Sequence, residues 1–245
     1  MRALSLKILL ALTVTACGGG SEDTRPAKLS THIDDGAIVQ VAMDQKATVV
    51  QTQNDWGVAK MENAKAEADY NAIGSQMQVV RNDRDKTKLQ LSSAKSNKST
   101  ADASKDTNKI NAATRDIHVA EMSVKAADLR IKYFETYRAY LKTLWRYTEE
   151  NMYWREAQYE NAKAQVAQKN NIAPKGLSFD SVSKQEQDRS KRAANRKTKL
   201  DSAKSSAMSA RESWLKAQQT ADQANGTPSN FADPMQSVPS TAGTN

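Results

Sequence analysis

The chain has 245 residues, a net charge of +8 and a mean hydropathy of -0.74, and its few glycines and prolines favour long amphipathic helices over layered sheets. One cysteine and two histidines exclude an internal disulfide and a cysteine-based zinc cluster, and they argue against catalysis by histidine. We therefore predict no enzymatic activity, no catalytic residues, no metal site and no cofactor, and the mild charge predicts no nucleic-acid partner.

Residues 1–16 have the anatomy of a signal peptide for export. Arg2 and Lys7 give a positively charged start, and an apolar run follows from residue 8 to residue 14. That run is too short to remain in a bilayer as a spanning helix. The four residues at the end of this region resemble the lipobox of bacterial lipoproteins: Val14, Thr15, Ala16 and Cys17.

The lipoprotein resemblance implies cleavage before Cys17, lipid on its thiol and acyl chains such as palmitate at the new amino terminus. In many Gram-negative bacteria an aspartate after the cysteine retains a lipoprotein at the inner membrane, and this chain has Gly18 there. The resemblance therefore implies a lipid-anchored outer-membrane protein that faces the periplasm, with the inner membrane and the cell surface less favoured. The alternative is an ordinary secretory signal followed by an unrelated cysteine.

Residues 17–35 are predicted to form a lipidated flexible tether, and 36–172 a long helical hairpin. Apolar residues recur at alternating spacings of four and three from 38 to 94 and again from 110 to 166, as in a left-handed coiled coil. The two repeats are out of phase, and only small or polar residues lie between Leu91 and Ile110. We therefore predict a turn near 96–104 rather than one continuous helix. A turn centred near residue 99 would set Trp56 opposite Leu141.

A third helix is predicted over 179–224, after a break that contains Pro174 and Gly176. Its heptad positions run from Val182 to Ala224 and are rich in alanine, which permits close packing on the base of the hairpin. Residues 225–245 contain three prolines and are predicted to be a disordered tail. The predicted fold class is thus all-α, a long antiparallel coiled-coil hairpin with a third helix that forms a three-helix base.

An aromatic stripe on the second helix is the candidate partner-binding site, together with Trp154. It runs beside the heptad positions with the same alternation of four and three, and we define it as Tyr133, Tyr137, Tyr140, Leu144 and Tyr147. One interpretation has the first and third helices covering the stripe, with the hydroxyl groups reaching water. The other leaves part of it exposed as a docking surface, where tyrosine and tryptophan concentrate binding energy.

These patterns predict a non-catalytic, lipid-anchored periplasmic lipoprotein that acts as a scaffold or docking component of a cell-envelope complex. Its partners would be the membrane, through the lipid on Cys17, and an envelope protein or a second copy of the chain. The alternative is a helical binding module that holds an apolar ligand or a peptide against the aromatic residues between 133 and 159.

Overall fold

The computed structural model of the protein describes residues 25–173 and 178–236. Two short 3₁₀ turns, Asp35–Ile38 and Met43–Lys46, lead into three long helices. These are α1 (Ala47–Ser104), α2 (Thr107–Lys169) and α3 (Phe179–Asn225). No strand occurs within the described residues. The all-α prediction with three helices is therefore confirmed.

The chain reverses between α1 and α2 at Lys105 and Asp106, so the turn predicted near 96–104 was placed too early. Lys105 takes the left-handed conformation with φ of 56°, and the Asp106 carboxylate accepts from the backbone amides of Asn108 and Lys109. The stretch 96–104 contains neither glycine nor proline, and α1 continues through it to Ser104. Asp106 supplies the side-chain cap that the start of α2 requires.

The pairing of α1 with α2 differs from the prediction in the same direction. Trp56 stacks on Tyr159, with ring centroids 5.7 Å apart, and does not face Leu141. Most of this displacement follows from the position of the turn. When the turn moves by one residue along the chain, the residue that faces a given position of α1 moves by two. Nearer the turn, Tyr70 stacks on Trp145 at 5.6 Å in the same antiparallel register.

The helix α2 lies between the other two helices. Residues of α1 and of α3 both pack along it, whereas no Cα atom of α1 lies within 8 Å of a Cα atom of α3 in the described ranges. The buried residues of α3 all fall on its predicted heptad positions: Val182, Arg189, Ala193, Leu200, Ala207, Trp214 and Ala221. The arrangement is thus a layer of three helices in which α2 buries two adjacent faces.

The segment ahead of α1 is ordered against the helices, which corrects the predicted tether over residues 25–35 and the predicted helix start at 36. Leu29 and Ile33 are buried, and the helix proper begins only at Ala47. These apolar side chains cover the end of α2, since Ile33 clusters with Ala164 and Val182. Residues 17–24 lie outside the described residues.

The predicted disordered tail also needs correction, because residues 226–236 fold back onto the helices. Gly226 ends α3 in the left-handed conformation with φ of 72°, where a side chain would be strained. Met235 then packs against the main core cluster. We call residues 226–236 the C-terminal strap; residues 237–245 lie outside the described part of the chain.

Trp214 provides a test of this packing, because it is 1 % exposed and stacks on Tyr133 at 5.4 Å. We expect Trp214→Ala to lower the free energy of unfolding by about 3–5 kcal/mol through lost burial and the cavity left behind. Leu215→Ala, at a neighbouring side chain that is 38 % exposed, should change it by no more than about 0.5 kcal/mol. Urea unfolding followed by circular dichroism measures both; equal losses in the two variants would contradict the packing of α3 on the stripe.

Candidate functional site

The aromatic stripe lies mainly in the core, as in the first of the two interpretations given for it. Tyr133, Tyr137 and Tyr140 are buried, while Leu144 and Tyr147 are partly buried and pack against the same cluster. The cause is α3, whose Trp214 ring lies over Tyr133 with an interplanar angle of 9°. The interpretation in which neighbouring helices cover the stripe is therefore correct for its three buried tyrosines.

Trp154, the sixth candidate residue, lies apart from the stripe in the contact between α2 and α3. Its indole nitrogen donates to the carboxylate of Glu186 at 3.0 Å, and the Arg155 guanidinium lies 4.7 Å from its ring centre. The indole N–H and one face of the ring thus have partners within the chain. The structure separates Trp154 from the tyrosines with which the sequence had grouped it.

One side of the stripe opens into a groove of about 810 Å³ between α1 and the C-terminal strap. We call this the aromatic groove. Its floor belongs to α2, one wall to α1, and the other to Ala232, Asp233 and Pro234 of the strap. The floor consists of Phe134, Tyr137, Tyr140, Leu141 and Leu144. Three of the six candidate residues therefore line one concavity.

The floor of the aromatic groove is neutral at physiological pH, and charge is confined to its edges. Burial raises the pKa of Tyr137 to about 12, and burial also raises the pKa of Tyr140. At the rim, Lys65 pairs with Asp69 at 2.6 Å, and Arg130 pairs with Asp83 at 2.8 Å. Protonated phenols cannot act as general bases, so this arrangement is suited to holding an apolar or peptide ligand.

The C-terminal strap closes one wall of the groove through a single buried carboxylate. Asp233 accepts from the Tyr133 hydroxyl at 2.7 Å and from Arg211 Nε at 2.6 Å. Burial, and then the bond to Asp233, raise the pKa of Tyr133 far above its usual value. Sequence reasoning missed these contacts, since the only signal was the presence of Phe231 and Met235 in a tail that otherwise looks polar.

A cluster of arginine and glutamate side chains attaches the first described part of the chain to α2 and α3. We call residues 25–38 the N-terminal joint. Arg25 Nε donates to Glu149 at 2.9 Å, and Arg189 Nη1 donates to Glu150 at 2.9 Å. The other terminal nitrogen of Arg189 donates to the carbonyl of Ala27. Glu149, Glu150 and Arg189 are all buried, so each buried charge has a partner.

The later residues of the N-terminal joint are bonded to charged side chains further along α2. The Glu160 carboxylate accepts from the backbone amide of Ile33 at 2.6 Å, and Lys163 donates to Asp35 at 2.7 Å. The hydrogen bond from Lys163 holds the pKa of Asp35 below its usual value. Burial by itself would lower the pKa of Lys163, yet Asp35 and Glu160 raise it above its usual value.

Two negative findings apply to residues 25–173 and 178–236 alone. In these ranges no three histidine, cysteine, aspartate or glutamate side chains are grouped so that they could hold a metal ion. None of the helices there has the length and apolar character needed to cross a membrane. Cys17, the predicted lipidation site, lies outside the described residues.

Comparison with known proteins found no relative: no family model matches the chain, and neither the curated proteins nor the solved structures contain a match.

Stability at alkaline pH tests the burial of Tyr137. Its pKa is about 12 in the folded chain against 10.0 for an ordinary tyrosine, so the unfolded chain loses this proton first. The corresponding stability is complete below pH 10 and is lost as the pH rises towards 12. We expect Tyr137→Phe to make the decline in urea midpoint between pH 10 and 12 shallower than in the unaltered chain. Parallel declines would show that this hydroxyl is solvated.

Proposed function

We propose that the chain is a non-catalytic, lipid-anchored coiled-coil lipoprotein of the outer membrane, and that it faces the periplasm as a scaffold or docking component of a cell-envelope complex. The observation that carries this proposal is the N-terminal joint. It attaches the segment that follows Cys17 to the helices through bonds to the buried side chains of Glu149, Glu160 and Arg189, so a lipid on Cys17 would hold the whole helical layer at the membrane.

The joint suits an anchor because it resists the pull that an anchor transmits. Cys17 precedes Arg25 by only eight residues, and Arg25 is already bonded to Glu149. Detaching the segment would leave the buried Glu160 and Arg189 without their bonds to the backbone of Ile33 and Ala27. An unsatisfied buried hydrogen-bonding group costs about 1–3 kcal/mol, and more where it is charged, so these contacts oppose detachment. Lipid on the cysteine would add about 0.8 kcal/mol of membrane affinity for each buried CH₂ group.

The outer surface of α1 supports the docking part of the proposal. Val50, Val58 and Met61 are exposed at spacings of eight and three, which place them on one side of the helix. Apolar residues at such spacings are the anchors by which one helix binds another. We propose that a helix of a separate envelope protein binds there, since, among the described residues, no Cα atom of α3 lies within 8 Å of a Cα atom of α1.

Cys17→Ser tests the anchor. Cells given an alkynyl palmitate analogue should label the unaltered chain and retain it in the membrane fraction. Cys17→Ser should take up no label and move to the soluble fraction. The control combines Cys17→Ser with Ser21→Cys, which keeps a thiol nearby but outside the lipobox, and it too should remain unlabelled. Label that persists without Cys17 would refute lipidation at this residue.

The same cells test docking if a photoreactive residue replaces Met61 in the anchored chain. We expect a crosslinked species that contains an envelope protein. Met208 on α3 is the matched control, because it is also an exposed methionine. Equal crosslinking from both positions would contradict the proposed α1 surface, and a crosslink between two copies would assign that surface to self-association.

The aromatic groove favours a second candidate function, the binding of an apolar ligand or a peptide against the stripe. Its volume of about 810 Å³ falls within the range of small-ligand sites, and its floor is aromatic and aliphatic. This function is compatible with a lipid anchor, because the groove and the N-terminal joint use different parts of α2.

An exposed alanine on the α1 wall permits a direct test of the second function. Ala72 lines the aromatic groove, so Ala72→Trp should fill it and lower the affinity for an apolar fluorescent probe by at least about tenfold. Ala68→Trp, one helical turn away and outside the lining, is the matched control and should leave probe binding unchanged. The fluorescence of the probe titrated with each variant measures the effect; equal affinity in both variants would argue against a site in the groove.

A further inference from the structure

The C-terminal strap makes contacts of the kind that a bound peptide makes. Alternate residues reach the helices: Phe231 lies over the Arg130 guanidinium at 4.1 Å, Asp233 reaches Tyr133 and Arg211, and Met235 packs against the core. The backbone amide of Met235 also donates to the Tyr133 hydroxyl at 3.2 Å. Residues 234–236 form a turn closed by a hydrogen bond from the Gln236 amide to the Asp233 carbonyl, and this turn brings Met235 back to the helices.

The side chains that receive the strap all belong to the helices. Arg130 and Tyr133 lie on α2 and Arg211 lies on α3, and the packing of these helices on each other does not pass through the strap. The strap is largely exposed, including Phe231 and the loop from residue 227 to residue 230, in which Ser229 donates to Asp222 of α3 at 2.7 Å. Asp233 is the exception, with a side chain that is 5 % exposed.

The strap occupies only one edge of the surface available to it. Ala232, Asp233 and Pro234 form a wall of the aromatic groove, while the space between them and α1 stays open over Tyr137, Tyr140 and Leu144. A separate peptide could take the contacts of the strap and then continue along this floor. Such a peptide would cover Leu144, which is only partly buried, and the small exposed fractions of Tyr137 and Tyr140.

We propose that the C-terminal strap occupies, within the chain, part of a binding site for a short, turn-forming segment of another protein. The segment would carry a carboxylate flanked two residues away on each side by apolar residues, as Asp233 is flanked by Phe231 and Met235. The carboxylate would bind Arg211 and Tyr133, and the strap would leave when the segment binds. This inference rests on the second candidate function, in which the groove binds a peptide.

The probe is a fluorescently labelled octapeptide with the sequence of residues 229–236, added to the full-length chain. Asp233→Ala releases the strap and leaves its receptor groups in place, so this variant should bind the octapeptide at least about tenfold tighter than the unaltered chain. Adding Arg211→Ala should abolish the gain. An octapeptide with alanine in place of its aspartate should bind at least about tenfold more weakly. Fluorescence anisotropy measures each affinity.

Phe231→Ala gives an independent route if Asp233→Ala proves unfolded by circular dichroism, because this side chain is partly exposed and holds no buried charge. A folded variant that binds the octapeptide no better than the unaltered chain would overturn the proposal. Equal binding of the octapeptide without its aspartate would overturn it too. A dimer of the unaltered chain that disappears in Asp233→Ala would assign the site to exchange of straps between two copies, and so would refute a separate partner.

The apolar probe separates this proposal from the function on which it rests. If Ala72→Trp blocks the probe while no variant binds the octapeptide, the groove binds ligands and the strap is only a structural wall. If neither the probe nor the octapeptide binds, both the groove function and the inference about the strap fail.

Discussion

Every other feature of the structure depends on α2 having to bury two adjacent faces at once. The neighbours α1 and α3 both pack along it, and within the part of the chain that the structure describes no Cα atom of one lies within 8 Å of a Cα atom of the other. Large rings meet this demand, because a tyrosine on one face and a phenylalanine on the next fill more volume than the alanines that dominate α3. The space left between the outer helices becomes the aromatic groove at one end and the seat of the N-terminal joint at the other.

The N-terminal joint and the C-terminal strap fill this space with side chains of opposite charge. At the joint, carboxylates of α2 are buried, and the incoming segment brings the cation of Arg25 and backbone amides that satisfy them. At the strap, the helices carry Arg211 and a phenol, and the incoming segment brings the carboxylate of Asp233. Leaving any of these buried charges unpaired would be costly, so each end of the chain is needed to complete the helices it covers.

The heptad repeat predicted the helices and their buried positions well, because a regular 3.5-residue spacing has only one face to bury. Val182, Leu200 and Trp214 on α3 are buried as that spacing requires. The turn was misplaced because a helix of small polar residues carries no periodic signal, and the cap at Asp106 is one residue among many aspartates. The stripe was predicted correctly as an apolar surface, but spacing along one helix does not reveal which neighbour covers it. The joint and the strap were not predicted, because each contacts residues more than 100 positions away in the chain. In the joint Arg25 contacts Glu149, and in the strap Met235 contacts Tyr133.

The N-terminal joint begins at a point that is off-centre along α2, and this affects how the molecule would tilt about an anchor. Arg25 meets α2 at Glu149, which lies about 63 Å from the start of that helix and about 30 Å from its end at 1.5 Å per residue. A membrane anchor attached there would hold α2 about two-thirds of the way along its length. A small tilt of α2 about this point would therefore move the end near Asp106 through about twice the arc of the opposite end. A contact made at the end near Asp106 would be the more sensitive to the angle between α2 and the membrane.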